Sequence, residues 1–183
     1  MRNSYGSMFL SRFPGSRAAL LATIFFVATF ASSPAARGEV PTGETIDGIR
    51  CDSSEGAVFH IHQHLTILDH GRPVEVAGDI GRPVLGQCFY WLHTHDTDGI
   101  IHVESPVYRS FTLGNFFDIW GQPLSQTVVG PAHIAKGQLR AYVDGSRYSG
   151  NPRAIGLTLH ADIVLEAGPP YSIPKPFTNW QGN

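Results

Sequence analysis

The sequence predicts a mainly β fold, an antiparallel sandwich or barrel of about seven or eight short strands with one short helix. Three observations predict it. Short runs rich in Val, Ile, Phe and Tyr recur along the chain, glycine turns such as His70-Gly71, Asp98-Gly99 and Asp144-Gly145 separate them, and only the stretch 114–121 places apolar residues at helical spacing. An α+β fold, with the helix packed on an antiparallel sheet, is the alternative.

Residues 1–35 read as an export signal. Arg2, Arg12 and Arg17 precede an apolar run from Ala18 to Ala31, and Ser33-Pro34-Ala35 offers small residues for cleavage before Ala36. The run is 14 residues long, short of the roughly 20 that a membrane-spanning helix needs, so a cleaved signal leaving no stable membrane span is expected. No Arg-Arg pair precedes it, which favours the general secretory route over the twin-arginine route. Residues 36–47 are expected to form a flexible mature N-terminus, residues 48–168 a single histidine-rich β domain, and residues 169–183 a proline-rich tail lying extended on the surface. Removing the three leader arginines takes the basic count from 13 to 10 against 15 acids. That balance gives no electrostatic reason to expect nucleic acid or an anionic membrane as a partner.

Within the domain, Val58 to Leu68 is the first strand, with Phe59, Ile61, Leu65 and Ile67 on its apolar side and His60, His62 and His64 on the other. Asp69 to Pro73 is a turn, Val74 to Val76 a short partner strand, and the Gly/Pro-punctuated stretch 78–86 a loop able to cover a site. Cys88 to His95 runs into the turn Asp96-Thr97-Asp98-Gly99, and Ile100 to Glu104 returns as the second arm of a hairpin. Val107 to Leu113 alternates as a further strand. Phe116, Phe117 and Trp120 give the helix an aromatic face for the core. Leu139 to Val143, the turn Asp144-Gly145-Ser146, a return through Tyr148 and a long strand from Ile155 to Glu166 complete the set.

The hairpin and the first strand carry the chemistry. With Thr97 and Asp98 as the loop, His93 faces His102 at about 5 Å between Cβ atoms, and His95 and Glu104 share that face. A slip of one residue would break the grouping. Histidines at i and i+2 on a strand stand about 6.6 Å apart at Cα and can both reach one ion, while a third from a neighbouring strand leaves a fourth position for water. The candidate ligands are His60, His62, His64, His93, His95, His102 and Glu104, with His62, His93, His95 and His102 first among them. His60 and His64 lie about 13 Å apart along the strand, so either one of them only supports a ligand or there are two ions. Desolvating so many imidazoles without partners is costly. His70, His133 and His160 stand apart and read as ordinary hydrogen-bonded residues, and Asp96 and Asp98 as turn formers before ligands.

Both methionines, Met1 and Met8, lie in the leader, which removes methionine-rich Cu(I) sites from consideration. The only two cysteines, Cys51 and Cys88, read as a disulfide in an exported chain. Imidazole and carboxylate remain, a set that suits zinc or copper first and also iron or manganese. Gly-x-Ser-x-Gly, phosphate-loop and Cys-x-x-Cys motifs are absent. Three functions compete: a module binding a divalent transition metal, a metalloenzyme whose three-histidine ion activates water or dioxygen, and a non-metal ligand-binding or interaction domain with a structural histidine network. Ligand imidazoles must be neutral, so metal affinity is expected to fall as pH drops through about 6.5.

The segments GIRCDSSEG, VFHIHQHL, CFYWLHTHDTDGIIHVESP and FTLGNFFDIWGQPL resemble those of a group of exported bacterial and archaeal proteins with no established activity. The resemblance spans roughly Gly48 to Gly168. It implies one shared domain and carries no chemistry.

Overall fold

The computed structural model describes residues 43–83, 88–172 and 174–180. The expected export signal at 1–35 therefore lies outside the described residues, as do 36–42 of the expected flexible N-terminus, 84–86 of the expected covering loop, and 173 and 181–183 of the expected tail. In chain order the strands are β1 (Cys51–Asp52), β2 (Phe59–Asp69), β3 (Arg72–Val74), β4 (Phe89–Tyr90), β5 (Leu92–His93), β6 (Ile100–Ser105), β7 (Val128–Val129), β8 (Ala132–His133), β9 (Leu139–Val143), β10 (Ser146–Tyr148) and β11 (Asp162–Ala167). One α-helix, α1 (Leu113–Trp120), and a single 3₁₀ turn at Pro152–Ala154 complete the described elements.

Seven of the strands form one sheet in the order β10-β9-β11-β2-β6-β5, with β3 beside the far half of β2. Its pairs are antiparallel except β11 with β2, which run parallel. The mainly β class with one short helix is as expected, and the parallel pair is an addition to it. β11 is buried along its whole length. A strand covered on both faces has no polar side to alternate, which is why Ile163-Val164-Leu165 is a continuous apolar run.

β2 behaves as its period-two pattern demands. Leu65 and Ile67 enter the core with Leu92, Ile101 and Val103 of the neighbouring strands, while the imidazoles lie on the opposite face. Gln63 shares the core face, fully buried, and neither of its amide atoms has a hydrogen-bond partner within the chain. Helix α1 closes the apolar side with Leu113, Phe116, Phe117 and Ile119, all fully buried, each such side chain contributing about 1.5–3 kcal/mol. Thr112 caps its first turn reciprocally with Asn115, and Gly121 ends it in the left-handed conformation at φ 69°.

Two expected strands are corrected. Val107 to Leu113 forms no strand, only a bridge from Thr112 to Gly156. Pro106 brings no N–H to a ladder, and the Ser105 hydroxyl takes the Val107 N–H instead, so the chain turns away from the sheet. The long strand from Ile155 to Glu166 shortens to Asp162–Ala167, because His160 adopts a left-handed φ of 55° just before it and breaks the extended run. Residues 44–47, grouped with the flexible N-terminus, are tied down: the Tyr90 hydroxyl donates to Glu44 O and the Asn115 amide to the Asp47 carboxylate. The tail is extended but held, with Phe177 stacked on His64, Trp180 on His160, and the Phe177 N–H bonded to Asp162.

The loop expected over the site instead runs along the free edge of β5. Ile80 O accepts from Thr94 N, Gly81 O accepts from Tyr90 N, and the Thr94 hydroxyl bonds Ala77 O. Gly81 has φ 71°, and a Cβ there would lie 2.4 Å from Leu92 O. Any side chain at that position would push the loop off the strand, so glycine is what allows the edge to be covered.

Cys51 and Cys88 are disulfide-bonded across 37 residues of sequence. The bond joins the segment ahead of β2 to the start of β4 beside it, pinning both pieces of chain that lead into the histidine strands. Thiol titration of the denatured, unreduced protein is expected to find no free thiol. Reduction is expected to lower the unfolding free energy by about 3–4 kcal/mol, the loop-closure value for a ring of this size, read from the shift in urea midpoint.

Candidate metal centre

Cross-strand register places three imidazoles abreast. His62 on β2 pairs with His102 on β6, and His102 pairs with His93 on β5. One step along, His60 pairs with Glu104, so the expected face-to-face arrangement of His93 and His102, with Glu104 beside them, is present. The His93 and His102 rings stack at 5.4 Å between centroids, and His62 and His95 each meet His102 edge-on at 4.5 and 4.4 Å.

Two overlapping clusters result, each able to hold a metal ion. His60, His62, His102 and Glu104 form one, and His93, His95, His102 and Glu104 the other, with all donor atoms inside each lying within 4.8 Å of one another. Glu104 Oε1 is the common neighbour, 3.2 Å from His60 Nε2, 3.5 Å from His102 Nδ1 and 4.0 Å from His93 Nε2. Ligands about 2.0–2.1 Å from a tetrahedral ion stand about 3.3 Å apart. Glu104 Oε1 is already near that spacing from His60 Nε2 and His102 Nδ1.

His64 is the candidate that the fold takes elsewhere. Its Nδ1 lies 3.0 Å from Asp162 Oδ1 and its ring stacks on Phe177 at 3.7 Å, so it belongs to neither cluster. Its separation from His60 along the strand explains why both cannot serve one ion with His62. Asp98 accepts from the Ile100 N–H in the turn, the role its position suggests, and His70 is paired with Asp69.

One residue of the neighbourhood carried no signal in the sequence reading. Glu55 Oε1 lies 3.6 Å from His93 Nε2 and 3.7 Å from His95 Nε2. It sits on the loop between β1 and β2, and the next residue explains how it gets there. A Cβ on Gly56 would stand 2.5 Å from the Ser105 carbonyl carbon and 2.6 Å from Pro106 N, so only glycine lets this loop lie against the end of β6. The available signal was a glutamate before a glycine, four residues after a cysteine bonded to the histidine hairpin.

The protonation pattern follows from burial and one backbone contact. His93 is fully buried and its Nδ1 lies 2.9 Å from Tyr90 O. A carbonyl can only accept, so Nδ1 carries the proton and Nε2 presents a lone pair toward the two glutamates. His93 Nε2 and His102 Nδ1 are both buried with no hydrogen-bond partner within the chain. Burial, reinforced by the neighbouring imidazoles, pushes His62 and His93 down to about 4 and lowers His95 also. Burial works to raise Glu104, but His102, His93 and His60 together hold its carboxyl below the usual range. His62, His93 and His95 are thus held toward the neutral form and Glu104 toward the anionic one, the protonation states that metal ligation requires. For His62 and His93, proton competition moves below the ordinary imidazole range.

The chain matches no known family, no curated protein and no solved structure.

Unfolded, His62 and His93 take up protons near 6.5, whereas folded they do so only near 4. Between those values the unfolded state binds more protons, so stability falls as pH falls. The metal-free protein is expected to lose on the order of a few kcal/mol between about pH 6.5 and 4, with a shallower decline in His62→Gln. Urea midpoints across that range check it, and equal slopes in both proteins would contradict it.

Proposed function

We propose that this is an exported protein whose function is to bind a divalent transition metal, zinc or copper, through the histidine face of β2, β6 and β5. The observation that carries the reading is His93 Nε2, buried with no hydrogen-bond partner within the chain and facing the carboxylates of Glu55 and Glu104. With the ring proton held on Nδ1 against Tyr90 O, Nε2 and a carboxylate oxygen repel one another unless a cation or a second proton lies between them, and burial disfavours the second proton. Imidazole with carboxylate support suits zinc and Cu(II), and also accommodates iron or manganese. Export is supported by the leader composition and by the disulfide. No helix among the described residues is long and apolar enough to cross a membrane.

Binding asks less of these residues than turnover does, since an enzyme also needs a base and a shaped pocket at its ion.

Calorimetric titration of metal-free protein at neutral pH is expected to give a Kd for zinc or Cu(II) tighter than roughly 10 μM. Saturation is expected to raise Tm, the gain being about 2.7 kcal/mol at a hundredfold excess over Kd. His93→Ala and His95→Ala are expected to lose most of that affinity, whereas His133→Ala, at the exposed residue of β8, should bind as wild type. Binding weaker than this by wild type, or unchanged binding by both cluster variants, would defeat the proposal.

A further inference from the structure

We infer that the histidine face holds two ions side by side, with Glu104 bridging them and Glu55 a direct ligand of the second; this rests on the metal-binding reading above. The argument begins with which donors meet. His60 and His62 group with His102 and Glu104, His93 and His95 group with the same two residues, and neither group includes the other's pair. The pairs flank the central strand β6 from β2 and from β5, two inter-strand steps of about 4.8 Å apart. Only within each pair's own group do the donor atoms lie close enough together for one ion, whose bonds run to about 2.0–2.1 Å. An ion can sit on either side of β6.

The donor count agrees. The five imidazoles, Glu104 and Glu55 are seven residues. If Glu104 bridges, they supply eight bonds, enough for two four-coordinate ions. The first ion takes His60, His62, His102 and Glu104. The second takes His93, His95, Glu55 and Glu104. A single ion would leave at least three of these groups unanswered, among them either the fully buried His93 or the buried His62. A carboxylate shared by both shells brings the ions to about 3.5–4 Å, the separation of two-metal centres. Glu55 is the more exposed of the two carboxylates, its side chain 39% accessible against 9% for Glu104. It stands at the open side of the second position, delivered by the loop that Gly56 allows to pack on β6.

The test is a metal count on the disulfide-intact mature protein. Equilibrium dialysis against zinc with elemental analysis is expected to give two ions per chain. The double variant His60→Ala/His62→Ala and the double variant His93→Ala/His95→Ala are each expected to retain one. Glu55→Gln should weaken one binding step by roughly 10–100-fold and leave the other in place. Loaded with Cu(II), the wild type is expected to give a spin-coupled paramagnetic resonance spectrum that becomes an isolated-ion spectrum in either double variant. One ion per saturated wild-type chain, or two without magnetic coupling, overturns this inference while metal binding stands. No binding at all overturns both. Should a double variant fail to fold, the wild-type count and spectrum decide the question by themselves.

Discussion

A buried neutral imidazole has one nitrogen that donates and one that only accepts, and the rest of the site depends on which is which. At His93 the decision is made by the Tyr90 carbonyl, which is available because the chain kinks at Trp91 between β4 and β5. The kink itself is held by the Glu104 N–H bonding to Trp91 O. A single backbone arrangement therefore breaks the strand, sets the tautomer of His93 and fixes the backbone of the carboxylate facing it. Once Nε2 is committed as an acceptor it has no proton to offer the carboxylates of Glu55 and Glu104, and the lowering of His62, His93 and His95 by burial disfavours an added one.

The strand register was legible in the sequence because period-two alternation and a two-sided hairpin leave few choices. Other features were legible for other reasons: the helix from its helical spacing, the disulfide from a lone cysteine pair in a chain read as exported, and the neighbouring of β2 with the hairpin from the cost of so many imidazoles without partners. What it missed has physical causes. Alternation in 107–113 was cancelled by Pro106 and by a serine hydroxyl competing for a backbone N–H. The extended run before β11 was cut by a left-handed histidine, which propensity does not foresee. The fate of His64 depended on Asp162, 98 residues away, and on a tail phenylalanine. No local pattern reports such partners.

Glu55 belongs to the same category with a different cause. Its position is set by a close approach between a loop and the end of a strand, tolerated only because residue 56 has no side chain. The disulfide acts on the same loop from its other end, anchoring Cys51 next to β4. Between these two restraints the backbone that carries Glu55 is held beside the histidines.

The parallel pairing of β2 with β11 has a consequence for the order of assembly. The strands that bear the imidazoles, β2, β5 and β6, all lie within residues 59–105, so their pairing closes only short loops. The other flank of β2 has to wait for a strand that begins at Asp162, and such distant contacts carry a larger chain-closure entropy. A chain emerging from its N-terminus can therefore build the ligand-bearing half of the sheet while the half that buries β11 is still missing.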